Sequence, residues 1–267
     1  MKILIIGGNR FVGKLVAKKL LKNHNVTLIN RSGTGPKGCT ILKGDRNNTS
    51  DFINKLKDIK FDIVIDMCLY NLKQCFLIDE LFSGKISKYI FMSSIASKIK
   101  SFGEYGINKK MCEEFLKGLS IPYLILQPTY IIGKGDHTNR INYYINQILN
   151  NDEISIDGDG NKLINFIDAE DVCDIICKLI DPCNNHLKNY TYEISCNEYT
   201  SLSNLVWRLS QFENKSKPLN LKYNSPNDSP YINKKCFANN LKIKEHLNFH
   251  FTNFHDTLKK VFYEYKN

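Results

Sequence analysis

The chain opens on a short apolar run, "MKILIIGG", too brief for a helix and too continuous for a strand with one face in water. No charged leader precedes it, so the pattern predicts a buried first strand and not a secretory signal. "VGKLVAKKLLKNH" then sets Val12, Leu15, Val16 and Leu20 on one helical face with lysines opposite, and "NVTLIN" supplies a second strand. The alternation continues through "CTILKGD", "TSDFINKLKD", "FDIVIDMC", "LKQCFLIDELFSG" and "KYIFMSS". "YGINKKMCEEFLKGL" adds a helix, and "YLILQPTYIIG" a strand stopped by Pro128 and Gly133. Apolar strand cores between amphipathic helices predict an α/β fold, a doubly wound parallel sheet covered on both faces. Beyond Lys134 the pattern loosens. "DGDGNK" reads as a turn, "INFIDAEDVCDIICKLI" as strand then helix, "YTYEISC" as a strand, and residues 197–267 as helix and loop broken at "NSPNDSP".

The junction of first strand and first helix is rich in glycine. Such a turn bares N–H groups at a helix N-terminus, where the helix dipole favours a phosphate. In the dinucleotide form of this turn, the first glycine permits the bend, the second admits the pyrophosphate, and the third lets helix pack on strand. Gly7 and Gly13 suit the first and third roles, Gly8 adds room, and Arg10 stands in the second. Gly7, Gly8, Asn9, Arg10, Phe11, Val12 and Gly13 are therefore expected to line a dinucleotide site. A site for NAD usually ends its second strand in an acid for the ribose 2′-OH, whereas one for NADP supplies an arginine. Here Asn30 and Arg31 follow the strand. Arg31, helped by Arg10, predicts NADP(H), with NAD(H) as the alternative; the competing reading turns Arg10 to solvent. These features divide the chain into a dinucleotide-binding Rossmann core, residues 1–133, and residues 134–267. The latter holds a remaining core strand and helix at about 163–196, interleaved with a small C-terminal substrate-binding region.

Composition narrows the partners. The chain has 267 residues, enough for one α/β domain with appended elements. No run of 18 apolar residues occurs, so no membrane helix is expected. Nine cysteines lie scattered without a CxxC pair, Cys173 and Cys177 on one helical face, and are read as reduced thiols of a cytoplasmic protein. The net charge of +10 is spread over nearly every segment, so a nucleic-acid partner is not expected and a small-molecule substrate is. A homodimer is left open, and no metal is expected, since His137 has no partner at ligand or triad spacing.

Tyr105 and Lys109 form a YxxxK pair whose i,i+4 spacing puts both side chains on one helical face. Ser93 and Ser94 end the strand "KYIFMSS", where a parallel sheet presents its ligand contacts. A phenol ionises near pH 10 and needs a nearby ammonium to act as an acid/base at neutral pH. Lys109 is placed to supply one.

Together with the glycine turn, the serines, "QPTYIIG" (resembling an RPxxxxG strand) and "FIDAEDV" (resembling FIHVxD), this order resembles the short-chain dehydrogenase/reductase superfamily. The likeness is to its extended or atypical branch of NAD(P)-dependent epimerases, dehydratases and reductases. The resemblance implies hydride transfer between a nicotinamide and a carbonyl or hydroxyl carbon, such as one of a nucleotide-sugar. It implies Tyr105 as general acid/base, Ser94 as the hydrogen-bond partner of the same substrate oxygen, and Lys109 as the group that lowers the Tyr105 pKa and holds the nicotinamide ribose. Asp45 resembles the adenine-side acid, against a loop aspartate. Pro128 falls among the cofactor contacts, and Asp171 is a structural helix-start residue. Gln127 departs from the usual arginine, and whether Ser93 or Ser94 faces the site stays open. The "GGNRF" turn also resembles a branch that includes chloroplast stem-loop-binding proteins, which bind RNA on this fold. The atypical branch further includes regulators that bind cofactor without catalysis. A cofactor-binding RNA-associated or regulatory protein is thus the alternative, since fold does not fix function.

Overall fold

The computed structural model describes residues 1–150, 153–213, 220–224 and 236–266. A seven-stranded parallel sheet forms its centre. Its strands are β1 (Lys2–Ile6), β2 (Asn25–Asn30), β3 (Thr40–Lys43), β4 (Ile63–Asp66), β5 (Lys88–Met92), β6 (Tyr123–Pro128) and β10 (Tyr190–Ile194), in the order β10-β6-β5-β4-β1-β2-β3. Ile5 lies between Leu28 and Ile65 in register. Alternate residues of a strand face opposite sides, and both sides are apolar here. Ile3 and Ile5 pack beneath α1 (Phe11–Leu20) and α6 (Ala169–Ile180), whereas Leu4 and Ile6 pack beneath α2 (Thr49–Leu56), α3 (Leu72–Phe82) and α4 (Gly103–Lys117). The doubly wound sheet expected from the pattern is present.

A second apolar cluster gathers α5 (Arg140–Asn150), α7 (Leu202–Ser210) and α9 (Phe254–Lys266), with Phe166 stacked on Phe254 at 5.3 Å. Two small sheets accompany it, β7 (Tyr130–Ile132) with β9 (Phe166–Asp168) and β8 (Glu153–Asp157) with β11 (Asn220–Asn224). α8 (Leu241–Leu247) packs beside β10.

Three details differ from the sequence reading. "YLILQPTYIIG" is two strands in two sheets, divided at Thr129, because Pro128 has no N–H to carry the ladder onward. The stretch after Asn197 contains a strand, β11, where helix and loop were expected; all but Asn224 of "NSPNDSP" lies outside the described residues. Asp168, not Asp171, caps α6, accepting from the Glu170 N–H at 2.8 Å. Asp171 is structural as expected, but it acts as a tether, accepting from Thr252 N and Oγ1 at 2.9 and 2.7 Å.

One buried cation gives the fold a measurable pH signature. Lys88, at the start of β5, is 1% exposed and donates to the carbonyls of Leu179 and Asn184 at 2.7 and 3.3 Å. Burial, with repulsion from Lys188, pushes its pKa down to about 8. Its folded pKa lies below the unfolded value, so between about pH 8 and 10.5 the unfolded chain binds more protons and stability rises with pH. In urea titrations from pH 7 to 9.5 the wild type is expected to gain on Lys88→Met, with a slope approaching about 1.4 kcal/mol per pH unit above pH 8. A difference that stays flat would show that Lys88 does not titrate there.

Candidate active site

The ends of β1, β2, β4 and β5 open onto a groove of about 490 Å³. Its floor is the glycine turn. Gly7 and Gly8 both have positive φ, at 94° and 79°, and a Cβ on Gly13 would stand 2.5 Å from the Gly8 Cα, so α1 seats on the turn only with glycine there. Arg10, by contrast, is extended (φ −134°, ψ 156°), a conformation open to any residue. The departure from the glycine pattern therefore costs nothing in backbone strain. The unusual residue is its neighbour, Phe11, at φ 42°, whose ring meets the edge of His137 at 6.3 Å. No side chain caps the N-terminus of α1. Its free N–H groups, together with the close glycine cradle, fit a pyrophosphate.

Arg10 and Arg31 line this groove, both exposed and without an ion pair among the described residues. Asn9 ties their two loops together, its Nδ2 donating to Ser32 Oγ at 2.9 Å. Asn30, expected to meet the cofactor, also lines the groove, and its side chain is engaged locally. Its Oδ1 accepts from Ser32 Oγ and Gly33 N at 2.8 and 2.9 Å, and its Nδ2 donates to Thr34 O at 2.9 Å. Asn30 thus shapes the turn that presents Arg31. Asp45 also lines the groove and accepts from the Asn47 N–H at 2.9 Å. Pro128 does not line it, because the chain turns away from the sheet at that point. His137, given no role from the sequence, does.

The trio expected from the sequence, Ser94, Tyr105 and Lys109, lies beside the groove. Gly106 lets α4 press onto the loop after β5, since a Cβ there would stand 2.4 Å from the Ala96 carbonyl oxygen. That approach sets Tyr105 beside Ser94, near enough for the serine to favour the phenolate, while Ser94 Oγ itself accepts from the Ala96 N–H at 3.2 Å. The two serines diverge: Ser93 turns into the core and donates to the Glu113 carboxylate, to which Gln127 Nε2 donates at 2.9 Å. The Tyr105 phenol is raised above its ordinary pKa by burial of its hydroxyl end, while Ser94 and Arg140 pull it back. Lys109 is not among the groups that lower it. Its ammonium donates to the carbonyls of Leu69 and Met92 at 2.9 and 3.0 Å, and stands 5.9 Å from the Tyr105 ring centre. Burial lowers the Lys109 pKa to about 8. The expectation that Lys109 makes Tyr105 acidic is not met in this state; the local cation that acts on the phenol is Arg140.

Behind the groove lies a buried polar cluster that the sequence did not announce. Asp66, at the end of β4, accepts from Arg46 Nη1 at 3.0 and 2.8 Å, from Tyr89 Oη at 2.5 Å and from the Cys68 N–H at 3.0 Å. Arg46 reads in sequence as one more loop cation. Its burial shows only once β4 places a carboxylate opposite it.

Comparison with known proteins places this geometry. Residues 86–195 match the NAD dependent epimerase/dehydratase family. The chain is similar to the UDP-glucose 4-epimerase of Thermotoga maritima, solved with UDP-glucose (TM-score 0.83, 16% identity, 100% of this chain and 99% of that one). It is similar also to the UDP-glucuronic acid 4-epimerase of Bacillus cereus, solved with UDP-glucuronic acid and NAD (TM-score 0.82, 20% identity, 100% and 99%). In sequence it is 22% identical to the chloroplast stem-loop binding protein of 41 kDa b of Arabidopsis thaliana, over 88% of this chain and 69% of that protein. The likeness to the epimerase/dehydratase branch is borne out over the matched segment, and the fold over the whole chain. Among the described residues, no helix is long and apolar enough to cross a membrane.

Proposed function

We propose, from a chain whose residues 86–195 match the NAD dependent epimerase/dehydratase family, that it is a nicotinamide-dependent oxidoreductase or epimerase/dehydratase. Its substrate is a small molecule with a reactive carbonyl or hydroxyl carbon, of the nucleotide-sugar kind. The observation that carries this reading is the meeting of Tyr105 with Ser94 next to Lys109, at the edge of a groove floored by the glycine turn. When bound, the nicotinamide supplies the hydride chemistry. The chain supplies the rest. Tyr105 holds the proton that moves to or from the substrate oxygen, Ser94 orients that oxygen, and Lys109, pinned by two carbonyls, offers its charge to the ribose. Nine free thiols suit the reducing cytoplasm.

The cofactor is NADP(H) on this reading, supported by Arg10 and Arg31, two unpaired guanidinium groups on loops joined by Asn9 and Ser32. Planar guanidinium forks hold phosphate oxygens well. Titrating NADPH and NADH against the wild type, Arg10→Ala and Arg31→Ala tests it. Each arginine removal is expected to weaken NADPH about tenfold or more, from the loss of a charge-assisted bond, and to leave NADH nearly unchanged. Preference of the wild type for NADH would sink the NADP(H) assignment. The likeness to the Arabidopsis stem-loop binding protein favours a second reading, a cofactor-binding RNA-associated protein. Sequence-selective RNA binding at physiological salt, unaffected by Tyr105→Phe, would establish it, since generic charge gives weak and salt-sensitive binding.

A further inference from the structure

Tyr70 sits in the loop that leaves β4, ahead of α3. Its backbone N–H is held by Gln74 Oε1 at 2.9 Å, while the residue is 50% exposed. Beneath the ring lies the Lys109 ammonium, 4.8 Å from its centre. On another side the same ammonium stands 4.9 Å from the Phe91 ring, and two of its three N–H groups are taken by the Leu69 and Met92 carbonyls. Its third donor thus has aromatic faces for company. Leu69, Phe91 and Met92 are all buried, so the solvent-facing members of this enclosure are Tyr70 and, farther off at 5.9 Å, Tyr105. Tyr70 also lines the dinucleotide groove, whereas Lys109, Tyr105 and Ser94 do not. The ring is therefore the wall between the groove and the reactive trio. Burial raises the pKa of its phenol, and the Arg31 guanidinium, at the phosphate end, works against that rise.

We propose that Tyr70 is an aromatic gate, covering the Lys109 ammonium in the free protein and swinging outward to admit the nicotinamide-side ribose. This rests on the reading that Lys109 holds that ribose. Entering hydroxyls replace the ring as partners of the third N–H, so the ammonium exchanges one favourable contact for another, and the gate sets a toll on binding. A ligand whose competent state must first be opened binds more weakly by the population of that state. The arrangement also keeps Lys109 dry. Burial lowers its pKa against the pull of Asp66, Cys112, Cys68 and Glu113, and opening the ring lets water back to the charge.

Stopped-flow binding of NADPH and NADH, read by nicotinamide fluorescence, tests the gate on the intact chain. Tyr70→Ala is expected to speed association and tighten binding by about 3- to 30-fold, the range set by one cation–π contact. Tyr70→Leu repeats the removal with less void, and Tyr70→Phe, which keeps the ring, should behave as wild type. A second readout is the Lys109 titration, followed by NMR at its side-chain methylene. It should move in Tyr70→Ala from about 8 toward the ordinary lysine value. Binding that is unchanged or weaker in both ring-less variants, or a Lys109 midpoint that stays put, overturns the gate. Lys109→Met separates the two ideas. If it binds cofactor as well as wild type, the ribose reading fails; if it binds poorly while Tyr70→Ala gains nothing, the gate alone fails.

Discussion

Tyr105→Phe is expected to lower turnover by about 10²- to 10⁴-fold while cofactor affinity stays within about twofold, because the substitution deletes one proton donor and keeps the ring. The ring is half exposed beside the groove and bears little of the core, so folding should survive. The pH dependence has a sign. The phenol is raised by burial, with Ser94 and Arg140 pulling against that rise. Protonated throughout the neutral range, it would serve as a donor without adjustment in the proposed reaction. Reduction of a carbonyl, which needs a proton delivered, should therefore be flat in pH up to the alkaline range. Oxidation of a hydroxyl, which needs the phenolate, should climb with pH. Arg140→Met removes the cation that favours the phenolate, and should push the oxidative limb further to the alkaline side. Steady-state rates of Tyr105→Phe on carbonyl or hydroxyl substrates check the first claim, and full activity in that variant would falsify Tyr105 as the acid/base.

Asp66→Ala should cost about 3–5 kcal/mol of folding stability, the usual penalty for stranding one partner of a buried ion pair. Asp66 is fully buried and Arg46 is 7% exposed. Burial works against the guanidinium, yet Asp66 and its neighbours hold it charged beyond its ordinary pKa. Removing the carboxylate leaves that charge, the Tyr89 hydroxyl and the Cys68 N–H without their acceptor in the middle of the sheet. Equilibrium urea unfolding measures the loss, and a change below about 1 kcal/mol would show that water reaches the cluster. Arg46→Met combined with Asp66→Leu should recover much of the stability, since a well-packed apolar pair often equals a buried ionic one. Arg46 also lines the groove near Asp45, so the double variant should fold yet bind dinucleotide less well.

The fold was legible because its signals are local and repeated. Each strand is a short apolar run and each helix carries a stripe, so β1 to β5 can be read one after another. The glycine turn was legible for the same reason, and the Gly8–Gly13 approach gives its spacing a steric cause. YxxxK was legible as a helix face, but its electrostatics were not. Spacing brings Lys109 to the same side as Tyr105 without revealing the two carbonyls that hold its ammonium. Asn30 lines the groove, but the use of its side chain in the turn that follows the strand is invisible in the residue name. The partition of Ser93 from Ser94 depends on the pleat at the end of β5, and the weight of Asp66, Arg46 and Tyr70 on contacts across distant segments. Such contacts leave no periodicity.

The strand order carries a consequence for the growing polypeptide. β6 ends at Pro128, but the strand that covers its outer edge, β10, starts only at Tyr190. During synthesis an apolar edge, "YLILQP", waits unpaired while residues 129–189 emerge, and unpaired edges of this kind recruit foreign strands. The groove is finished sooner. Its walls come from residues 6–92, with Ile131 and His137 added soon after. On the proposed reading, a dinucleotide captured at that stage would add its binding free energy to a half-built sheet, and cofactor supply would then bear on how much of this chain is completed.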